Sequence, residues 1–185
     1  MPKLGCGFSL IRLSMQKSIL FWLYQLYAWL IYFPLVGILT LFFGWSVVLA
    51  AWLVSPRFAN HFQARTWAKI LAFLLPMRVS VKGAQHVDSG RSFVVVANHA
   101  SQADILALYG FLGLDMKWVI KKELRRIPGI GIGCEKAGHI FIDRSNPAEA
   151  KRMVNEATGG LEGGVGILFF AEGTRSLDGR PVSYT

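Results

Sequence analysis

The sequence has no acidic residue before Asp88 and no charged residue of either sign between Lys17 and Arg57. Hydrophobic residues make up 53% of its 185 positions and charged residues only 17%, a balance shifted away from that of soluble domains. The lack of charge therefore indicates a chain that contacts lipid. Its length suffices for one domain with a short additional segment, and a second full domain is not expected.

Cysteine is scarce. Only Cys6 and Cys134 are present, without CxxC spacing, which excludes a disulfide framework and a cysteine zinc site. Two plain thiols are typical of a domain on the reducing side of a membrane. His61, His86 and His139 stand apart from other metal-ligand residue types, so they are interpreted as structural or surface residues and no metal site is predicted.

Several nucleophile and nucleotide motifs are also missing. The sequence contains no GxSxG elbow and no GxxxxGK[ST] loop, and GIGIG at 129–133 lacks the third glycine of a dinucleotide-binding fingerprint. Without an activated nucleophile on the protein, a hydroxyl of the substrate is expected to be the attacking group.

The formal net charge is +9, from 20 basic and 11 acidic residues. Such a charge suits nucleic acid, an anionic membrane or a phosphorylated substrate. The basic residues nearest the uncharged segment crowd its two ends; they are Lys3, Arg12 and Lys17 before it, and Arg57, Arg65, Lys69, Arg78 and Lys82 after it. Cytoplasmic retention and anionic headgroups favour this arrangement. We therefore expect membrane lipids rather than nucleic acid as partners, with the globular part on the cytoplasmic face.

The uncharged segment spans residues 18–56, whereas one membrane-spanning helix needs only about 20 residues. As one straight helix it would be about 58 Å long, nearly twice a hydrocarbon core of about 30 Å. Pro34 and Gly37 favour a break, which predicts a membrane-embedded hairpin of helices 19–33 and 37–54. One tilted span is the alternative, and a signal peptide fits less well because its apolar region is about 7 to 15 residues.

The rest of the chain predicts an α/β fold. Residues 57–75 indicate a helix that lies along a membrane surface or faces a core. Further on, the pattern predicts strands at 77–81, 92–97, 116–120, 139–142 and 165–170, and helices at 101–112 and 147–158. This alternation is typical of a mostly parallel sheet flanked by helices. We expect a membrane-anchoring segment at 1–75 and an α/β domain at 76–185 that is truncated at its C-terminus.

The stretch NHASQAD, residues 98–104, follows a buried strand and opens a helix. On one continuous helix His99 and Asp104 would point about 140° apart. With His99 in the turn and Asp104 in the first helical turn, the carboxylate could instead hold one imidazole nitrogen and leave the other to accept a proton. Ser101 followed by an acid three residues later also resembles a capping box, so this pair alone leaves catalysis and capping open.

Three other strand ends carry basic residues. FFAEGTRS at 169–176 places Arg175 in a glycine turn that suits a phosphate, although a solvated turn with an Arg175–Glu172 pair remains open. KKELRRIPGIG at 121–131 and FIDR at 141–144 are each more typical of solvated loops. Together, His99, Lys121, Arg144 and Arg175 would form a cationic rim at one edge of the sheet.

In their order and spacing, these four stretches resemble the blocks of the glycerolipid acyltransferase family, and in particular the acyltransferases that make phosphatidic acid from 1-acylglycerol-3-phosphate. NHASQAD is similar to the family's NHxxxxD block, KKELRRIPGIG to its second block, GHIFIDR to its third and FAEGTRS to its EGTR block. The family normally continues past EGTR into a proline-containing block and further sheet.

The resemblance implies that His99, oriented by Asp104, deprotonates the sn-2 hydroxyl, which attacks the thioester of acyl-CoA or acyl-carrier protein. It implies no metal or bound cofactor. The residues it assigns to the substrate phosphate are Lys121, Arg144, Glu172, Gly173, Thr174 and Arg175. Another lyso-lipid or glycerol-3-phosphate is the alternative acceptor, and a non-catalytic adaptor that binds anionic lipid is the alternative from a different class.

Overall fold

The computed structural model of the protein describes residues 19–170 apart from Ser89, Arg144 and Glu162. Its α-helices are α1 (Ile19–Tyr27), α2 (Phe33–Leu53), α3 (Pro56–Phe58), α4 (Arg65–Leu74), α5 (Ala103–Phe111), α6 (Ile130–Lys136) and α7 (Pro147–Gly159). Its strands are β1 (Val94–Ala97), β2 (Asp115–Lys121), β3 (Ile140–Ile142) and β4 (Val165–Phe170). Two π-helical segments, Ala28–Tyr32 and Ala59–Ala64, and two 3-10 helices, Ala84–His86 and Lys122–Arg126, complete the elements.

The uncharged segment forms one long helix, Ile19–Leu53, that is long and apolar enough to cross a membrane. The break predicted at Pro34 and Gly37 is wrong. A π-helical segment ends at Tyr32, directly before α2, and Pro34 is the second residue of α2. The wider π turn accommodates the proline ring, so the chain stays helical and reverses only after Leu53.

A helical hairpin nevertheless forms, with different arms from those predicted. Its second arm is the continuous helical run 56–74, and four side-chain hydrogen bonds join the arms. They are Tyr27 Oη to the Leu74 carbonyl at 2.6 Å, Trp67 Nε1 to Thr40 Oγ1 at 3.1 Å, Ser46 Oγ to Gln63 Oε1 at 2.7 Å and Gln63 Nε2 to the Ser46 carbonyl at 3.4 Å. The embedding of this hairpin in a membrane stays a prediction.

The second arm faces the core on one side and solvent or lipid on the other. Ala68, Leu71 and Ala72 of α4 are buried against Leu106 of α5, whereas Phe73 remains 83% exposed. The core-facing interpretation of residues 57–75 therefore describes one face of this helix. The predicted strand at 77–81 is absent from the described residues, because Met77 packs into the same cluster and no neighbouring strand pairs with this segment.

The described sheet has the order β1-β4-β2-β3, and all three strand pairs are parallel. This confirms the predicted α/β class. Helix α5 packs on one face, over Met116, Trp118 and Leu168, and α7 packs on the other, over Val119, Ile140 and Ile167. Ile167 and Leu168 have no exposed surface. Each such side chain stabilises the fold by about 1.5 to 3 kcal/mol relative to an exposed one.

Helix α6 was not predicted, and it lies unusually close to α2. A Cβ on Gly44 would stand 2.4 Å from the carbonyl oxygen of Gly129, and one on Gly133 would stand 3.0 Å from the carbonyl oxygen of Gly44. Only glycine allows two backbones to approach this closely. The GIGIG stretch therefore provides the surface through which α6 packs on the long helix.

Replacing Gly44 with alanine is expected to lower the free energy of unfolding by about 1 to 2 kcal/mol. Overpacking costs about 1 to 3 kcal/mol, and the higher helix propensity of alanine offsets up to about 1 kcal/mol. Gly37→Ala is the matched control, since a Cβ there meets nothing within 4 Å and should stabilise the same helix. Thermal unfolding of both variants in detergent micelles measures the difference. Equal melting temperatures would contradict the backbone contact.

Candidate active site

The carboxyl ends of the four strands lie along one edge of the sheet. Ala97 at the end of β1 pairs with Phe170 at the end of β4, and Lys121 at the end of β2 pairs with Ile142 at the end of β3. His99 follows β1 by two residues. This edge therefore brings His99 and Lys121 to the same side of the fold, the side at which α/β proteins commonly place reactive groups.

His99 and Asp104 are joined by a hydrogen bond between Nδ1 and Oδ2 at 3.0 Å. His99 lies in the turn, whereas Asp104 lies in the first turn of α5, which begins at Ala103. Because the carboxylate oxygen accepts, the proton of a neutral imidazole sits on Nδ1 and Nε2 is left with its lone pair. The two side chains are 14% and 16% exposed, so the pair is sheltered yet reachable.

Asp104 also organises the turn itself. Its Oδ2 accepts the backbone N–H groups of Ala100 at 2.7 Å and Ser101 at 2.8 Å. The bond to Ser101 is one half of a capping box. The other half is missing, since Ser101 Oγ accepts the N–H of Ala103 instead. Capping and imidazole orientation are thus performed by the same carboxylate, and they do not exclude each other. The catalytic role of the pair stays a prediction.

One aromatic neighbour of the His99–Asp104 pair was not predicted from the sequence. The ring of Phe170 stacks on the imidazole of His99 with centroids 3.9 Å apart and planes 12° apart. Phe170 appeared in the sequence only as part of a buried strand. No local signal identifies the contact, because it depends on the pairing of β1 with β4.

Lys121 and Lys122 differ in the strength of their ion pairs. Lys122 forms an ion pair with Asp143, whose other carboxylate oxygen accepts the N–H and the hydroxyl of Ser145 at 2.9 and 2.6 Å. Hydrogen bonds from Lys122 and Ser145 lower the pKa of Asp143 to about 2. Lys121 is 53% exposed and has only a loose pair with Glu123 at 3.6 Å. Lys121 is therefore better placed than Lys122 to meet an incoming anion.

Five residues predicted to bind phosphate lie outside the described residues. They are Arg144, Glu172, Gly173, Thr174 and Arg175. Their roles stay predictions, and Lys121 is the member of the predicted set that the structure describes.

Cys134, the described cysteine, is a free thiol. Burial raises the pKa of this thiol to about 11, so it is protonated at neutral pH. A protonated, buried thiol is a poor nucleophile. Cys134 is therefore not an alternative reactive group to the His99 pair.

A partly buried polar network connects α5 to the hairpin and the sheet. Tyr109 Oη donates to Asn60 Oδ1 at 2.5 Å and accepts from His139 Nε2 at 2.6 Å, while the N–H of Trp118 donates to His139 Nδ1 at 3.3 Å. Asn60 Nδ2 donates to the Met116 carbonyl at 2.9 Å. His139 is therefore a structural residue, as the sequence indicated. The network joins the hairpin, α5 and the sheet, and so fixes the helix that carries Asp104.

The family follows from a comparison with known proteins. A family model described as Acyltransferase matches residues 78–184, more than half of the chain. The chain belongs to the Acyltransferase family. The match includes β1, the His99–Asp104 turn and all later described elements.

The chain resembles several curated proteins. It is 36% identical to 1-acyl-sn-glycerol-3-phosphate acyltransferase alpha of Ovis aries over 59% of the chain and 38% of that relative. It is 35% identical to the Mus musculus protein of the same name over 74% of the chain and 50% of the relative. The chloroplastic LPAT1 of Arabidopsis thaliana is 32% identical over 68% of the chain and 35% of the relative. The chain thus spans half or less of the length of these relatives.

A solved structure has the same fold. The 1-acyl-sn-glycerophosphate (LPA) acyltransferase PlsC from Thermotoga maritima superimposes with a TM-score of 0.71 at 25% sequence identity. The likeness covers 88% of this chain and 66% of the Thermotoga chain. It therefore includes most of the hairpin as well as the α/β part.

Proposed function

We propose that the protein transfers an acyl group from a thioester to the sn-2 hydroxyl of 1-acylglycerol-3-phosphate, giving phosphatidic acid. The hydrogen bond from His99 Nδ1 to Asp104 at the carboxyl edge of the sheet carries this proposal. The names of the curated relatives and of the Thermotoga protein support the choice of acceptor.

The reaction needs a base and no nucleophile on the protein. His99 Nε2 takes the proton of the acceptor hydroxyl while the oxygen attacks the thioester carbonyl, and the carbon–oxygen bond forms. The carbon–sulfur bond then breaks with its electron pair on sulfur, and the imidazolium gives its proton to the leaving thiolate, which becomes the free thiol. Asp104 stabilises the imidazolium between these steps through the Nδ1 hydrogen bond. No metal ion and no bound cofactor take part.

The phosphate of the acceptor gives the site its selectivity. Lys121 supplies one exposed cation at the edge that carries His99. Arg144 and Arg175, with Glu172, Gly173 and Thr174, complete the proposed clamp on the strength of the family resemblance. A charge-assisted hydrogen bond stabilises by about 1.5 to 3 kcal/mol, so an acceptor without a phosphate monoester should react more slowly.

The membrane is the second partner. The long helix carries no charge. Most residues of its first half are exposed, including Ile19, Leu20, Trp22, Leu23 and Leu30, while Ala28 and Tyr32 are buried on one face. Exposing such a surface to water costs about 25 cal/mol of free energy per Å² of apolar area. We place this helix in the bilayer and the α/β part on the cytoplasmic face, where acyl-CoA or acyl-carrier protein is the donor.

An acceptor panel tests the proposal. Membranes that carry the full-length protein receive a labelled acyl-CoA or acyl-carrier protein and one of three acceptors: 1-acylglycerol-3-phosphate, 1-acylglycerophosphocholine or glycerol-3-phosphate. The lysophosphatidate should react at least about ten-fold faster than the choline lipid, because one lost charge-assisted bond corresponds to that ratio. Equal rates for both lyso-lipids would contradict the phosphate clamp. No transfer from either donor would overturn the proposed activity.

A further inference from the structure

We propose that Phe170 is a positioning residue for His99, and that its ring fixes the plane of the imidazole and stabilises the imidazolium formed during turnover. The stacking of the two rings, 3.9 Å between centroids and 12° between planes, carries this proposal. Its kinetic part rests on the proposed function, whereas its geometric part does not.

Phe170 is itself held firmly. It is the last residue of β4 and pairs with Ala97 of β1, two residues before His99. On the sheet it packs against Trp118 at 6.0 Å and 59°, and Trp118 in turn stacks on Tyr109 at 4.8 Å and 12°. Trp118 is only 4% exposed. Phe170, Trp118 and Tyr109 therefore form a series of packed rings, here called the aromatic column, that runs from His99 into the core.

The column supplies a constraint that Asp104 cannot supply alone. A single hydrogen bond to Nδ1 holds one point of the imidazole but allows the ring to swing about that bond. A parallel ring at contact distance fixes the plane, and the two constraints together give Nε2 one direction. Holding a base in one orientation lowers the barrier because the reactive geometry is already present before the reaction.

The same stacking favours the charged state of the base. When Nε2 takes the hydroxyl proton, the imidazolium lies over the face of a benzene ring, whose electron density attracts a cation. The Oδ2 of Asp104 faces the edge of the imidazole at the same time. Phe170 thus contributes in the transition state more than in the ground state, which is the condition for an effect on kcat.

Phe169 provides a matched control. It precedes Phe170 on β4 and, because side chains alternate along a strand, it lies on the opposite face of the sheet. There it packs with Val119, Ile140 and Ile167 under α7. Phe169→Leu removes the same ring from the same strand without touching the imidazole. A loss that arises only from weaker packing of β4 should therefore appear in both leucine variants.

Kinetics of three variants of the full-length protein test the proposal. Phe170→Leu should lower kcat about five-fold, which corresponds to about 1 kcal/mol, while KM for acceptor and donor changes less than two-fold. Phe170→Tyr keeps the ring and should restore kcat. Phe169→Leu should leave kcat within two-fold of the wild type. An unchanged kcat in Phe170→Leu, or an equal loss in Phe169→Leu, would overturn the proposal.

A spectroscopic measurement separates this inference from the proposed function. Histidine-labelled protein in micelles should give one imidazole Cε1–H resonance for each histidine, and the resonance that is lost in His99→Ala belongs to His99. Phe170 shields that proton, and its resonance should move downfield in Phe170→Leu but not in Phe169→Leu. This shift requires no turnover, so it stands even if no acceptor is acylated. A His99 resonance that is the same in both variants would show that the stacking is absent.

Discussion

His99→Ala should lower acyl transfer by at least about 10²-fold, and by as much as about 10⁴-fold, because the variant has no group to take the proton of the acceptor hydroxyl. A neutral hydroxyl remains a weak nucleophile at pH 7. The KM for both substrates should change little, since the imidazole contributes to the transition state rather than to binding. Initial rates with labelled thioester and 1-acylglycerol-3-phosphate in membranes measure both quantities.

The matched control is His86→Ala, which removes an exposed histidine from a short 3-10 helix remote in sequence from the strand ends. It should retain the wild-type rate. Equal expression and membrane content of the two variants excludes a folding defect. Transfer by His99→Ala within ten-fold of the wild type would refute the general-base mechanism, and the stacking partner Phe170 would then have no kinetic role.

Substitution of His99 tests the general-base mechanism more directly than substitution of Asp104. The Asp104 carboxylate holds the imidazole and two backbone N–H groups at once, so its loss would open the turn as well as release the base. Reduced activity in an Asp104 variant would therefore combine an orientation effect with a local structural one. Removing the imidazole leaves the turn with all the backbone hydrogen bonds that Asp104 accepts.

The turn at NHASQAD was predictable because it depends on short-range geometry. Five residues separate His99 from Asp104, and the angle between side chains on a helix required that one of them leave the helix if they were to meet. The parallel sheet was equally predictable, since strands that alternate with helices along a chain pack in few other ways. In both cases the information is contained in neighbouring residues.

The arms of the hairpin and the helix α6 were not predicted correctly from the sequence. Pro34 disfavours a regular helix, yet the π turn before it accommodates the proline ring and the chain continues as a helix. Gly131 and Gly133 each weaken helix α6 by about 1 kcal/mol. Helix α6 forms all the same, because Gly133 has no side chain and the backbone of Gly44 can approach it. No sequence window contains both partners.

The stability of the protein is expected to fall by about 2 to 3 kcal/mol as the pH is lowered from 6.5 to about 4, through His139. Burial, followed by the nearby charge of Lys117, lowers the pKa of His139 to about 4 from an ordinary value of 6.5. Between these values the unfolded chain binds a proton that the folded chain does not, so unfolding becomes easier as the pH falls. Above pH 6.5 this contribution is constant. Thermal or denaturant unfolding in micelles across this range measures it.

The carboxyl groups also titrate in this range, so the effect of His139 must be isolated by difference. His139→Gln has no proton to bind, and its unfolding free energy should decline less steeply than that of the wild type by about 1.4 kcal/mol per pH unit at most. His86→Gln removes an exposed histidine and should keep the wild-type slope. Parallel curves for the wild type and His139→Gln would mean that His139 accepts a proton in the folded state. That result would contradict the Tyr109–His139–Trp118 network, because a protonated Nδ1 cannot accept the N–H of Trp118.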